Sequence, residues 1–297
     1  MKNIIVTGSN GFIGKNIAEY FICHGEKVIC THRGVKPAFS ISPDKLSGEI
    51  MIKQANLADS AQCETLFQDE AVDVVIHLAG EMHSKLVKDY LENSVRATEN
   101  MIASAEKHGV STFIFASSVA VYGNTNGIVN ENSDKINPDD YAIAKIIGER
   151  LLEDSQIPKR IALRLPRVLG KDIHFSRPWI PKLAASLLKN EKVEYYNAEL
   201  QYSNMAHVDT ISEFIQKLIC EKADGYEIYG LGAADSKSVK YIAEKLKLLL
   251  NSDSVLEEVR KEVRTTWHHI DISKAIKAGY KALSVDETLE RFAMDVR

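Results

Sequence analysis

The chain has 297 residues, 45% of them hydrophobic and 26% charged, with a formal net charge of −4. That length suits two domains or one large α/β unit, and the composition is that of an ordinary globular protein. The charge gives no electrostatic case for nucleic acid or an anionic membrane, and the longest apolar stretches, such as 72–79, fall far short of a bilayer span.

Asn3–Thr7 predicts a first strand and Phe12–His24 a helix, so a fold element rather than a signal peptide is expected at the start. Lys27–Thr31 and Glu49–Gln54 predict two more strands, with the polar stretch 34–48 between them as a surface loop. Ser60–Asp69 reads as a helix, Val72–Leu78 as a strand and Leu86–His108 as one long helix. Thr112–Ala116 is a strand, Asp139–Glu153 a helix and Arg160–Leu165 a strand. Strands rich in Ile and Val, separated by helices, predict an α/β fold with a doubly wound parallel sheet covered on both faces.

After residue 166 the rhythm changes, and Pro166, Pro178 and Pro181 interrupt the pattern. Helices are predicted at Ile180–Lys189, Thr210–Glu221, Ser238–Leu250 and Asp286–Ala293, with a short strand at Tyr226–Tyr229. The expected division is a dinucleotide-binding domain over 1–165 and a smaller, mostly helical substrate lobe over 166–297. Some segments of the lobe are free to return to the first domain. Cys23, Cys30, Cys63 and Cys220 form no Cys-x-x-Cys pair and have no His at metal-ligand spacing. Buried thiols in a reducing cytoplasm, and no metal, are expected.

Gly8-Ser9-Asn10-Gly11-Phe12-Ile13-Gly14 follows a strand and opens a helix. Gly8 permits the tight turn, Gly11 lets a pyrophosphate approach the backbone, and Gly14 lets helix and strand pack closely. Free N–H groups at the positive end of the helix then hold the phosphates. Tyr141 and Lys145 stand four residues apart, hence on one helical face. A free phenol is a poor base at neutral pH, and a nearby ammonium can bring it into range for proton exchange.

The Gly-x-x-Gly-x-x-Gly spacing resembles the extended branch of the short-chain dehydrogenase/reductases, and within it the nucleotide-sugar epimerases, dehydratases and reductases. The resemblance spans nearly the whole chain. Its marks are His77-Leu78-Ala79-Gly80, Asn93, Ser117-Ser118-Val119-Ala120-Val121-Tyr122-Gly123 and Tyr141-x-x-x-Lys145. Arg164-Leu165-Pro166-Arg167, His207-Val208-Asp209 and Ala278-Gly279-Tyr280 complete the set.

That resemblance implies a Rossmann-type sheet. It places the dinucleotide on Gly8, Asn10, Gly11, Phe12, Ile13 and Gly14, with Asn56 and Leu57 by the adenine. Leu78, Ala79, Gly80, Asn93 and Pro166 complete that seat. It makes Ser118, Tyr141 and Lys145 catalytic, with Lys145 also bonding the nicotinamide ribose, and leaves Ser117 without a catalytic role. Glu81, His83, Ser118, Val119, Ala120, Arg167 and Arg177 are the expected substrate contacts, and His207 is expected to be structural. A homodimer seam is expected along the Leu86–His108 and Asp139–Glu153 helices.

NAD enzymes of this type place an acid after the second strand to bind the ribose 2′-hydroxyl. Here His32 and Arg33 stand there. A guanidinium can clasp a 2′-phosphate that an acid would repel, so NADP(H) is favoured over NAD(H). Val119 and Ala120 replace the acid pair that sugar dehydratases carry, which disfavours a dehydratase and a decarboxylase alike. Two enzyme readings remain: an NADPH-dependent 4-ketoreductase of a nucleoside-diphosphate 4-keto-6-deoxysugar, which is favoured, and an NAD-dependent 4-epimerase. A catalytically silent NAD(P)-binding sensor is the rival of another class, and the presence of both Tyr141 and Lys145 argues against it.

Overall fold

The computed structural model describes residues 1–39, 41–82, 84–171, 173, 179–259 and 268–297. Seven strands form its main sheet: β1 (Asn3–Thr7), β2 (Lys27–His32), β3 (Glu49–Gln54), β4 (Val74–His77), β5 (Thr112–Ser118), β6 (Lys159–Leu165) and β7 (Gly225–Gly230). Their order is β7-β6-β5-β4-β1-β2-β3, and each neighbouring pair is parallel. β1 lies between β2 and β4, so the strand order reverses there. A sheet of this kind leaves a ligand crevice beyond the carboxyl ends of its strands at that switch point.

Successive side chains along the strands enter two cores. Ile4, Val6, Val28, Val74, Ile76 and Ile114 face one, and Ile5, Ile29, Val75, Phe113 and Phe115 face the other. Both faces are apolar because both are covered by helices. The first core takes Ile17 and Phe21 from helix α1 (Phe12–Cys23) and runs on into Ile211, Phe214, Leu289 and Phe292 of the second half. The second core is closed by Cys63, Met101, Ala105 and Leu152.

Several elements differ from expectation. The helix predicted to Asp69 ends earlier, as Ser60–Thr65, with Asp59 capping it through the Ala61 and Gln62 amides. The long helix predicted over 86–108 contains a π-helical turn, Leu91–Arg96, between Val87–Tyr90 and Ala97–Lys107. The strand predicted at Tyr226–Tyr229 is β7, at the edge of the main sheet beside β6. Short parallel pairs join Arg167–Leu169 to Met205–His207 and Gly127–Val129 to His268–Ile270. His207 is buried, caps the Val208–Cys220 helix through the Asp209 amide, and bonds Asp295 Oδ2 at 2.8 Å.

All four cysteines are free thiols, but only Cys30 and Cys63 are buried as expected; Cys23 is half-buried and Cys220 exposed, each near the end of a helix. Burial pushes Cys30 and Cys63 up to about 12, which keeps them inert. Among the described residues no helix is long and apolar enough to cross a membrane, and no cluster of metal-ligating side chains exists.

Candidate active site

A cleft of about 1000 Å³ opens at the carboxyl ends of β1, β2, β4, β5 and β6. Its floor is the glycine turn. Gly8 has φ +67°, and a Cβ there would lie 2.9 Å from the Ala79 amide nitrogen. A Cβ on Gly14 would lie 2.2 Å from the Gly8 carbonyl oxygen. The Gly11 amide donates to that same carbonyl at 2.9 Å, so the turn is closed on itself just where α1 begins. Asn10, Phe12 and Ile13 line the cleft beside it. Gly14→Ala must displace the Gly8 carbonyl. It is expected to weaken NADH binding in a fluorescence titration by about tenfold or more, and to cost about 1–3 kcal/mol in urea denaturation.

At the end reached by β2 and β3, the cleft is lined by His32, Arg33, Asn56 and Leu57. His32 is buried, and its Nδ1 has no hydrogen-bond partner among the described residues. A buried ring nitrogen left over by the protein is one that a ribose hydroxyl can satisfy. Arg33 turns across the cleft and donates from Nη1 to Asn93 Oδ1 at 2.8 Å. Asn93 itself sits in the π-helical turn, a distortion that often accompanies functional sites. The glycine cradle, the helix N-terminus and the unsatisfied His32 nitrogen together fit a dinucleotide.

Lys145, Tyr141 and Ser118 line the same cleft, as do Leu78-Ala79-Gly80 and Pro166. Asp139 caps the Asp140–Glu153 helix by accepting from the Ala142 amide at 2.8 Å, which fixes the start of the element bearing Tyr141 and Lys145. Lys145 is buried, donates to the Ala116 carbonyl at 2.6 Å and lies 5.9 Å from the centre of the Tyr141 ring. Burial lowers its pKa to about 8, with Glu149 pulling the other way. Ser118 Oγ accepts from the Ala120 amide at 3.2 Å, which leaves its hydroxyl hydrogen available to a ligand oxygen. Ser117 turns inward and donates to Glu149 Oε1 at 2.5 Å.

Glu81, Val119, Ala120 and Arg167 continue the lining away from the glycine turn; His83 and Arg177 lie outside the described residues. Tyr202, Asn204 and His268 line the cleft as well. Arg167 Nε donates to the Tyr202 hydroxyl at 3.1 Å, and Trp179 packs edge-on against Tyr202 at 4.5 Å. His268 packs edge-on against Tyr122 at 5.5 Å, and burial lowers its pKa. His268 carries no local motif; only its strand's pairing with Gly127–Val129 brings it here.

A model of the NAD dependent epimerase/dehydratase family matches residues 4–232. The N-acetyl-alpha-D-glucosaminyl-diphospho-ditrans,octacis-undecaprenol 4-epimerase of Escherichia coli O157:H7 is 26% identical, over 84% of this chain and 72% of its own. Two solved structures superpose with a TM-score of 0.84. One is MoeE5 in complex with UDP-glucuronic acid and NAD, 20% identical, with 100% of this chain and 99% of that one covered. The other is the UDP-N-acetylglucosamine 4-epimerase from Methanobrevibacter ruminantium M1 in complex with UDP-N-acetylmuramic acid, 23% identical, with 99% and 98% covered.

Proposed function

The chain belongs to the NAD dependent epimerase/dehydratase family, and from that premise we propose that it carries out redox chemistry at C4 of a nucleoside-diphosphate sugar. One observation carries the reading. Ser118, Tyr141 and Lys145 line one cleft together with the glycine turn and with Arg167, Tyr202, Asn204 and His268.

Gly8, Asn10, Gly11 and Gly14 would hold a nicotinamide dinucleotide, which would supply hydride exchange with the sugar carbon. Tyr141 handles the proton: it donates to the nascent alkoxide in reduction and accepts from the hydroxyl in oxidation. Ser118 donates its free hydroxyl hydrogen to the same sugar oxygen and holds it in line. The buried Lys145 charge favours the phenolate of Tyr141. Val119 and Ala120 offer no acid or base, which supports simple hydride and proton transfer over elimination of water. Arg167, which lines the cleft, would take a substrate phosphate through charge-assisted bonds.

Reduction of a 4-keto-6-deoxysugar with NADPH is the first reading, supported by the absence of a carboxylate after β2 and by Arg33 at the cleft. A 4-epimerase that retains NAD is the second, favoured by the NAD dependence of the family and by the bond that already occupies Arg33 with Asn93. Mass spectrometry of the purified protein separates them. Retained NAD with interconversion of a UDP-sugar and its 4-epimer supports the epimerase. An empty protein that consumes NADPH with a 4-keto sugar supports the reductase. Turnover of neither sugar class, in either assay, overturns the C4 proposal. In the reductase case Arg33→Asp is expected to lower kcat/KM with NADPH by about 10–100-fold, the loss of a charge-assisted bidentate contact. NADH turnover should change little.

Val87, Leu91 and Ile143 are exposed apolar residues on the adjacent 87–107 and 140–153 helices, with exposed Leu86 just before the first, which supports a homodimer joined there. Light scattering should give a dimer mass, and Leu91→Lys should shift it toward monomer.

A further inference from the structure

We infer that His77 is a positioning residue for the dinucleotide seat, acting as a fixed neutral hydrogen-bond coupler between the glycine-turn strand and the π-helical turn. The inference rests on the proposed dinucleotide site for its functional meaning, but its proton arrangement stands on geometry alone.

His77 ends β4 and is fully buried, as is Thr7 at the end of β1. Thr7 Oγ1 accepts from the Leu78 amide at 3.0 Å and from the Ala79 amide at 3.1 Å. Both of its acceptor positions are therefore filled, and its one hydrogen is left for His77 Nδ1, at 2.8 Å. Nδ1 must then be the bare nitrogen. A neutral ring with a bare Nδ1 carries its hydrogen on Nε2, which faces Thr98 Oγ1 at 3.1 Å. Thr98 in turn donates to the Ser94 carbonyl at 2.7 Å. Every hydrogen has an acceptor in this arrangement. The other tautomer would set two hydrogens against each other at Thr7, and so would the imidazolium.

The chain of bonds ties together the walls of the cleft. Thr7 holds the Leu78-Ala79 amides of the loop against which Gly8 packs. Ser94 lies in the π-helical turn beside Asn93, and its hydroxyl receives the Glu81 amide at 2.9 Å. Gly80, between those contacts, faces Ser94 Oγ and Lys145 Nζ. A shift at His77 therefore moves the loop, the turn and the neighbourhood of Lys145 together. Because the ring stays neutral, the coupling holds across the working pH range; burial, and secondarily Lys145, lowers its pKa to about 3.

Two measurements test this. A two-bond proton–nitrogen correlation spectrum of the wild-type protein, labelled in histidine and compared with His77→Phe, reads the tautomer directly. A bare Nδ1 and protonated Nε2 from pH 5 to 9 are expected; a protonated Nδ1, or titration within that range, overturns the inference whether or not the protein binds a dinucleotide. Thr98→Val keeps the shape and removes the acceptor. In the folded variant, KM and Kd for the dinucleotide should rise about five- to tenfold, the loss of one buried hydrogen bond, with kcat nearly unchanged. Unchanged KM and Kd, or a fall confined to kcat, overturns the positioning role. A wild-type protein that binds neither NAD(H) nor NADP(H) defeats the functional proposal instead, while the spectrum still decides the tautomer.

Discussion

Tyr141→Phe is expected to cut turnover by about 10²–10⁴-fold, the span of a lost general acid–base group, while dinucleotide affinity stays close to wild type. The substitution removes one oxygen and keeps the ring, so the packing of the helix around Ala142 and Lys145 is undisturbed. Ser118 and Lys145 remain, but neither is placed to replace the phenol. Lys145 has its ammonium on the Ala116 carbonyl, and Ser118 Oγ takes the Ala120 amide rather than a basic side chain among the described residues. Quenched-flow turnover with a 4-keto or 4-hydroxy nucleotide sugar reads the loss. A Tyr141→Phe enzyme with wild-type turnover would remove the residue from the mechanism.

The pH dependence carries the same argument. With a folded pKa of about 8, Lys145 is charged below that value and loses its charge above it. In the wild type, kcat/KM is expected to fall as pH rises past about 8, and this limb should vanish in Lys145→Met. The linkage to stability has the opposite sign. Between about 8 and the ordinary value of 10.5 the unfolded chain binds more protons at this site than the folded one. This group therefore makes stability rise with pH in that window, and its burial penalty is fully present below about 8.

Much of this site was legible because its parts are local. The strands β1, β2 and β4 are rich in Ile and Val, the composition of a sheet covered on both faces, and the glycine turn follows the first of them directly. Tyr141 and Lys145 needed only helical spacing to be paired. What depended on distant pairing was not legible. β7 reads as a strand, but its place beside β6 follows from packing some sixty residues away. His268 enters the cleft through a three-residue ladder too short to show periodicity. The π-helical turn that presents Asn93 is not signalled by any glycine or proline; the helix pattern simply runs through Leu91–Arg96. Arg33 was read as a phosphate ligand because its residue type suits one, whereas its bond to Asn93 is visible only once β2 and that turn face each other.

The largest stability effect should come from beneath the helix that bears Tyr141 and Lys145. Glu149 stands one turn beyond Lys145 and forms a two-pronged ion pair with Arg164 of β6: Nε to Oε1 at 2.9 Å and Nη2 to Oε2 at 2.9 Å. Both are almost wholly buried. Arg164 Nη1 also donates to the Tyr122 hydroxyl at 3.2 Å and to the Glu131 carbonyl at 2.9 Å, and Glu131 accepts the Gly230 amide of β7 at 2.8 Å. Arg164→Met leaves the Glu149 carboxylate buried without its counter-charge, and is expected to cost about 3–5 kcal/mol. The double variant Glu149→Leu with Arg164→Met removes both charges, and should recover most of that loss because an apolar pair needs no compensation. Ser117 then loses its acceptor on Glu149, so the turn that carries Ser118 is no longer braced against the helix that carries Tyr141 and Lys145. The recovered double variant should therefore fold but turn over more slowly, and, without Glu149 to oppose burial, its alkaline limb should move to lower pH. Urea denaturation and a pH–rate profile decide it: an Arg164→Met protein within about 1 kcal/mol of wild type would mean that water reaches Glu149, and that the pair does not hold the Asp140–Glu153 helix to the sheet.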